Sequence, residues 1–447
     1  MSDGVHHDHI PGPSGKPLVG NTVEFGSDPL SFLTRLAREY GPVARYEAGG
    51  FEFVQVSDPD LVEQVLVQRN ERYEKGDRFQ ASLRPTLGSG LLTSEGEYWR
   101  NQRHTLEPAF YPRMLSSYAE TMVDYTERLL SEWEDGETRD VHEDTMSLTV
   151  EIAAKALLDV DIRQEEGDIA EALEAVMDRS TASTRRPVQV PEWVPTPMNR
   201  RAREARETLN DVVERIVYDY RDGEPREGND VVSLLLRASD HLGEPLSPEQ
   251  IRDEVVTILL AGHETTALAL TYTFHALGRN PGPERALHDE VDAVLGDRRP
   301  TQDDLDDLDY VEQTVKEGMR VYPPVWQLVR EAAEPDDLDG YRIDPGTTVS
   351  MQQWVLHRDP RFYDDPETFR PERWTDDFEK SLPKFAYFPF GGGPRRCIGD
   401  RFAMLEARLV LATIAREWAL RPHDDLSFSP SITLRPDGDV EMTVVRR

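Results

Sequence analysis

The sequence predicts a mainly α-helical fold with a small β region, built as one domain. Apolar residues recur at helical spacing through most of the chain, whereas period-two alternation is confined to a few short segments. No internal repeat is visible. Length alone would allow about three domains for 447 residues, an expectation that fails for many single-domain enzymes. A hydrophobic share of 38% suffices for a sizeable core.

Residues 1–10 (MSDGVHHDHI) read as a disordered tail, its His6, His7 and His9 solvated rather than metal-bound, and the domain begins at residue 11. From Ile10 to Gly20 proline and glycine forbid regular structure, which leaves an extended segment along the body. VARYEAGGFEFVQV at 43–56 alternates about Gly49-Gly50 and predicts a β-hairpin. Helical periods then mark 58–68, 98–108, 115–133, 144–158, 169–180, 200–220, 247–279, 283–295 and 308–321. The longest opens on Ser247-Pro248-Glu249, a favoured cap followed by proline at the first helical position. Between two helices, repeated prolines in 185–197 (RRPVQVPEWVPTP) leave an apolar loop of the kind that makes a lid. Short strands are expected at 341–343 and 347–352, and a final helix from about Ile398 to Trp418.

Charge narrows the function. Fifty-one basic against 85 acidic residues give a net charge of -34, which repels nucleic acid and anionic membranes. Only Lys16, Lys75, Lys155, Lys316, Lys380 and Lys384 are lysines. Abundant Asp and Glu with scarce Lys matches the proteins of extreme halophiles such as halophilic archaea, where near-molar salt cuts the Debye length to about 3 Å. No run approaches about 18 uninterrupted apolar residues, and the first residues lack a basic-then-apolar signal pattern. The expectation is a cytoplasmic protein without a membrane anchor.

The single cysteine, Cys397, cannot form an internal disulfide or a multi-thiolate metal site. It stands in Phe390-Gly-Gly-Gly393-Pro-Arg395-Arg396-Cys397-Ile-Gly399, just before a helix. Helix dipole, turn amides and Arg charge would all favour a thiolate there, suited to ligating a metal. A nucleophilic role is the rival, although no particular histidine is marked as its base.

FxxGxRxCxG resembles the haem-binding loop of the cytochrome P450 superfamily, the haem-thiolate monooxygenases. The resemblance implies Cys397 as axial ligand to the iron of haem b (iron protoporphyrin IX), the thiolate favouring O–O cleavage. It implies Phe390 beside the sulfur, Gly393 and Gly399 allowing close backbone approach, and Arg395 on a haem propionate. Trp99 and Arg103 match the family's WxxxR and are implied propionate partners; His104, Arg330 and His357 are further candidates. Leu260-Ala261-Gly262-His263-Glu264-Thr265-Thr266 on the long helix matches the oxygen-binding (A/G)Gx(D/E)T(T/S), so Glu264 and Thr265 are implied in proton delivery to dioxygen, with Ala261 beside the cofactor. His263 is expected to point away.

Glu317 and Arg320 can pair on one helix face, but ExxR also occurs at Glu97/Arg100, Glu249/Arg252 and Glu367/Arg370. Position selects Glu317/Arg320, because Pro371-Glu372-Arg373-Trp374 follows before Cys397. In the family this pair joins the later arginine as a structural triad, here Glu317, Arg320 and Arg373, with Trp374 in place of the usual Phe. The proline-rich start at 11–21 fits as well, so the resemblance covers nearly the whole chain.

The implied activity is insertion of one oxygen atom of O2 into a hydrophobic small molecule. No flavin or iron–sulfur segment follows, so electrons are expected from a separate donor, a small acidic ferredoxin with its reductase, docking on Arg396, Arg401 and Arg100. Substrate contacts are expected from 79–92, 185–197, Ala261, Thr265, 325–328 and 431–433. Peroxide-using or lipid-rearranging relatives would need no relay like Glu264-Thr265, and a haem sensor would carry an output module.

Overall fold

The computed structural model describes residues 9–162, 193–222, 230–238 and 245–447, together with 172, 173, 175, 176 and 179. Helices dominate, and the long helix Pro248–Arg279 lies at their centre. The Ser247 hydroxyl accepts from the Gln250 N–H at 3.2 Å while the Gln250 side chain accepts from the Ser247 N–H at 2.8 Å. Two free amide donors at the helix start are thereby satisfied. The helix is apolar nearly all round, as a buried helix must be, and it is covered by Val141–Leu158, Asp309–Val321 and Trp418–Pro422. Val255, Val256, Leu259, Leu268 and Tyr272 are at most 1% exposed, each aliphatic among them contributing about 1.5–3 kcal/mol. Among the described residues this is the one helix long and apolar enough to cross a membrane, and 83% of its apolar window is buried inside the protein.

In the largest sheet Val43–Ala48 pairs antiparallel with Phe51–Val56, which pairs parallel with Thr348–Met351; Leu328–Ala332 and Tyr73–Glu74 follow. Gly49 and Gly50 turn the hairpin at φ 61° and 79°, the left-handed pair that a two-residue turn between twisted strands requires. Tyr73 lies opposite Ala332 and Glu74 opposite Glu331, a register that leads Lys75 toward Arg330. Thr138–Asp140, Glu441–Arg446 and Trp418–Pro422 form a second sheet, and Phe428–Pro430 with Leu434–Pro436 forms a short hairpin.

Several elements depart from expectation. The final helix is Asp400–Ala415, because Trp418 is claimed by strand pairing with Arg446. Helices Pro29–Tyr40, Asp77–Leu87 and Val231–Arg237 were not marked by periodicity. The first has a start signal in its sequence: Asp28 accepts from the Ser31 N–H at 3.0 Å, with Pro29 at the first position. Ile10 packs on the sheet's core, and Pro11 accepts from the Arg45 N–H at 2.8 Å. Residues 1–8, most of the expected helix 169–180, and 185–192 of the proline-rich loop lie outside the described residues.

Candidate functional site

The cysteine loop is shaped by its glycines. Gly393 has φ +67°, and a Cβ there would fall 1.8 Å from the Leu66 carbonyl oxygen, so only glycine lets the loop seat against the turn at Gln64–Gln68. The Cys397 N–H donates to the Phe390 carbonyl at 3.0 Å and closes the loop. At Gly399 a Cβ would meet only Phe110, at 3.6 Å, so this glycine is not demanded by protein packing. Cys397 is solvent-accessible at contact range yet surrounded by protein at longer range, as a side chain lining a concave space must be. Burial pushes its thiol up, and the Gly399 amide, Arg103 and Arg396 only partly offset this. The amide and arginine influences expected from the sequence are thus present at the sulfur, and a coordinated cation would add to them.

Cations gather beside the sulfur. Burial, then Arg330 and Arg395, push Lys75 well below its usual range, while Glu95 and Cys397 pull it back. Burial, then Arg395, brings Arg330 down to about 10. Arg395 stacks 4.2 Å from the Trp99 ring centre, donates to the Ser94 carbonyl at 3.0 Å and pairs with Glu95. Arg103 donates to the Arg396 carbonyl at 2.8 Å and pairs with Glu107 at 3.2 Å; His104 is exposed. Three enclosed cations thus share one carboxylate, an arrangement that costs stability unless an anion joins it. A ligand bearing carboxylates next to a metal matches both halves of this ground, so the residues fit haem. Lys75 was missed in the sequence, although its being one of six lysines was a usable signal.

On the long helix Ala261 is exposed and Thr265 partly so, amid buried neighbours. The Thr265 hydroxyl donates to the Ala261 carbonyl at 3.0 Å. A Cβ on Gly262 would meet only Ala153, at 3.6 Å. Glu264, 2% exposed, does not share this face: it accepts from Thr433 Oγ1 at 2.9 Å and pairs with Arg435 Nε, both from the C-terminal hairpin. Burial would raise its carboxyl, but Arg435, His263 and Thr433 together outweigh burial and hold it below the usual range. His263 is buried, its Nδ1 at 3.0 Å from the Leu259 carbonyl, with burial lowering its pKa. A second acid was not legible: Glu406 is 0% exposed, burial drives it well up, and the Thr266 hydroxyl alone eases its charge without a well-formed hydrogen bond to either oxygen.

Glu317, Arg320 and Arg373 form one cluster. Glu317 receives Arg320 Nη2 at 2.8 Å and Nε at 2.9 Å, Arg373 Nε at 3.0 Å, the Arg370 N–H at 2.8 Å and Trp374 Nε1 at 2.9 Å. The Trp at 374 thus adds a donor that Phe would lack. Of the other ExxR arginines, Arg252 pairs with Asp253, and Glu367 pairs instead with Arg358. His357 is fully buried and accepts from the Phe388 N–H at 3.1 Å, a role inside the core.

A cavity of about 410 Å³ opens between the sheet and the C-terminal hairpin. Its lining includes Phe79, Ser82, Trp326, Gln327, Ser431 and Ile432 from the expected substrate-contact segments, and Lys75 links it to the cysteine side; Ala261, Thr265 and Cys397 do not line it. Trp193, the described part of the proline-rich loop's apolar centre, is 80% exposed.

A family model described as Cytochrome P450 matches residues 10–437. The chain is 36% identical to "Cyclooctatin synthase" of Streptomyces melanosporofaciens over 98% of its length and 94% of that protein's. It is 37% identical to "Cyclooctat-9-en-7-ol 5-monooxygenase" of the same organism, covering 92% and 89% of the two chains. "Pentalenene oxygenase" of Streptomyces avermitilis is 32% identical over 96% of this chain and 92% of that one. Among solved structures, a cytochrome P450DA heme domain superposes with a TM-score of 0.89 at 29% identity, covering 99% of this chain and 98% of that one.

Proposed function

Because the chain belongs to the cytochrome P450 family, we propose that Cys397 is the axial thiolate of haem b, held with Trp99, Arg103, Arg330, Arg395 and Lys75 around its propionates. The protein is a monooxygenase that converts R–H and O2, with two electrons and two protons, into R–OH and water. Its electrons come from a redox partner. Haem, when bound, supplies dioxygen binding and oxidising power. Ala261, Phe390, Gly393 and Gly399 give it room and backing, and His104 stays a peripheral candidate.

The carrying observation is the lone thiol beside an excess of enclosed cations. Thr265 delivers protons by turning its hydroxyl away from the Ala261 carbonyl. Glu264, ionised against Arg435, serves as the next station, and neutral Glu406 holds a further proton on the neighbouring helix. The relatives' names point to alicyclic, largely hydrocarbon substrates, which the aromatic cavity suits. Arg100, Arg396 and Arg401 are exposed, although Arg396 pairs with Asp400 at 2.7 Å; this face suits an acidic ferredoxin by close contact. A halophilic cytoplasm fits the acid excess, and the melting temperature should climb as KCl rises from about 0.1 M, where the Debye length is already about 10 Å.

The test is spectroscopic. Reduced protein with carbon monoxide should show the red-shifted band of thiolate ligation, and Cys397→Ser should lose it; an unchanged band rejects the assignment. Thr265→Ala should keep the band and consume reductant but divert it to peroxide, whereas full coupling to product would reject its role.

A further inference from the structure

Arg78 stands apart from the other enclosed cations. It lines the 410 Å³ cavity with Phe25, Tyr46, Phe53, Phe79 and Trp326. Its guanidinium lies 4.0 Å from the Phe51 ring centre and 5.4 Å from that of Phe53. Among the described residues it has no carboxylate within ion-pair distance and no hydrogen bond, and Nη1 is buried without a partner. In a chain with 85 acidic residues an arginine left so is unusual, since five donors in a fixed fork normally take a carboxylate. Glu331 and Asp437 also line the cavity, yet neither pairs with Arg78; among the described residues Tyr46 is the one titratable group that bears on its pKa, and burial keeps that phenol protonated. Burial lowers its pKa, so the charge is kept at a cost that the two rings offset only in part and, among the described residues, no carboxylate offsets. Aromatic walls hold the fork in place and exclude water from its faces.

We propose that Arg78 is a specificity-determining residue that binds the carboxylate of an otherwise hydrophobic substrate, whose hydrocarbon body runs along Phe79 and Trp326. This rests on the monooxygenase reading, and narrows it from hydrophobic molecules to hydrophobic acids. The fork would accept the carboxylate through two parallel N–H···O bonds, which a hydroxyl or ester cannot reproduce.

The experiment compares dodecanoate, methyl dodecanoate and dodecanol on the holoenzyme in molar KCl, by equilibrium dialysis and by the shift of the haem absorption. Dodecanoate should bind about tenfold or more tightly than its ester, the worth of one charge-assisted pair. Arg78→Gln should lose that preference while still binding dodecanol, and Arg78→Lys should keep part of it. Equal binding of acid and ester, no binding of any of the three, or an undiminished preference in Arg78→Gln overturns the proposal. A haem shift with equal affinities would leave the monooxygenase reading standing and remove the carboxylate subsite. A carboxylate preference in dialysis without any haem shift would do the reverse.

Discussion

Two groups of buried charge teach opposite lessons. Around Glu317 every donor finds an acceptor: two arginines, a backbone amide and an indole N–H converge on one carboxylate that is 0% exposed, and the remaining guanidinium N–H groups donate to backbone carbonyls. Beside Cys397, Lys75, Arg330 and Arg395 crowd around Glu95 with positive charge to spare. The first cluster is complete within the chain and serves the fold. The second is incomplete, as a cluster that binds a group from outside would be. Completeness of pairing, more than the presence of charge, separates a structural cluster from a binding one.

The largest effect should come from breaking the complete cluster. Glu317→Gln strands two buried guanidiniums and should cost about 3–5 kcal/mol, read as a fall in soluble yield and melting temperature. Glu367→Gln, whose carboxylate is 70% exposed against Arg358, should change stability by no more than about 1 kcal/mol. Equal losses in the two variants would erase the distinction.

Removing a surplus cation should do the opposite. Lys75→Met should stabilise the haem-free protein by about 1 kcal/mol, because it relieves an enclosed charge repelled by its neighbours, while weakening haem retention. A haem-free variant that melts below wild type would mean that Lys75 belongs to the complete kind of cluster.

Glu254 is an intermediate case: 1% exposed, one oxygen accepting from the Leu91 N–H at 3.0 Å, the other without a partner. Burial pushes its carboxyl up to about 8. The folded state therefore holds this proton more tightly than the unfolded chain, and stability falls as pH rises from the ordinary carboxylate range to about 8. Glu254→Gln keeps the acceptor for Leu91 and removes the titration. Its melting temperature should match wild type near pH 5 and exceed it by about 2 °C near pH 8. A difference that does not vary with pH would place the effect in packing.

Sequence carried much of this, unevenly. The hairpin about Gly49-Gly50 and the long helix behind Ser247-Pro248 were legible because their signals are local. Glu317, Arg320 and Arg373 were selected among four ExxR matches only by their order relative to Cys397, since three residues of spacing say nothing about burial. The rarity of lysine marks Lys75 out, but its neighbours were out of reach, because strand register, with Glu74 opposite Glu331, brings it toward residues some 250 positions later. Glu406 looked like one more acid on a helix, and only its enclosure drives its pKa up. The partner of Glu264 was hidden for the same reason: Arg435 lies 171 residues away in sequence.

The C-terminal hairpin also bears on how the enzyme could be re-engineered. Phe428, Ser431 and Ile432 face the cavity, while Thr433 and Arg435, a step along the same ribbon, hold Glu264. Substitutions that widen the cavity here would disturb the acid as well, so a gain in substrate range would come with reductant wasted. Phe79 and Val329 line the same space from elements other than the hairpin that holds Glu264. A library confined to those walls should broaden the repertoire without that loss, and the hairpin is the place an evolving lineage can least afford to drift.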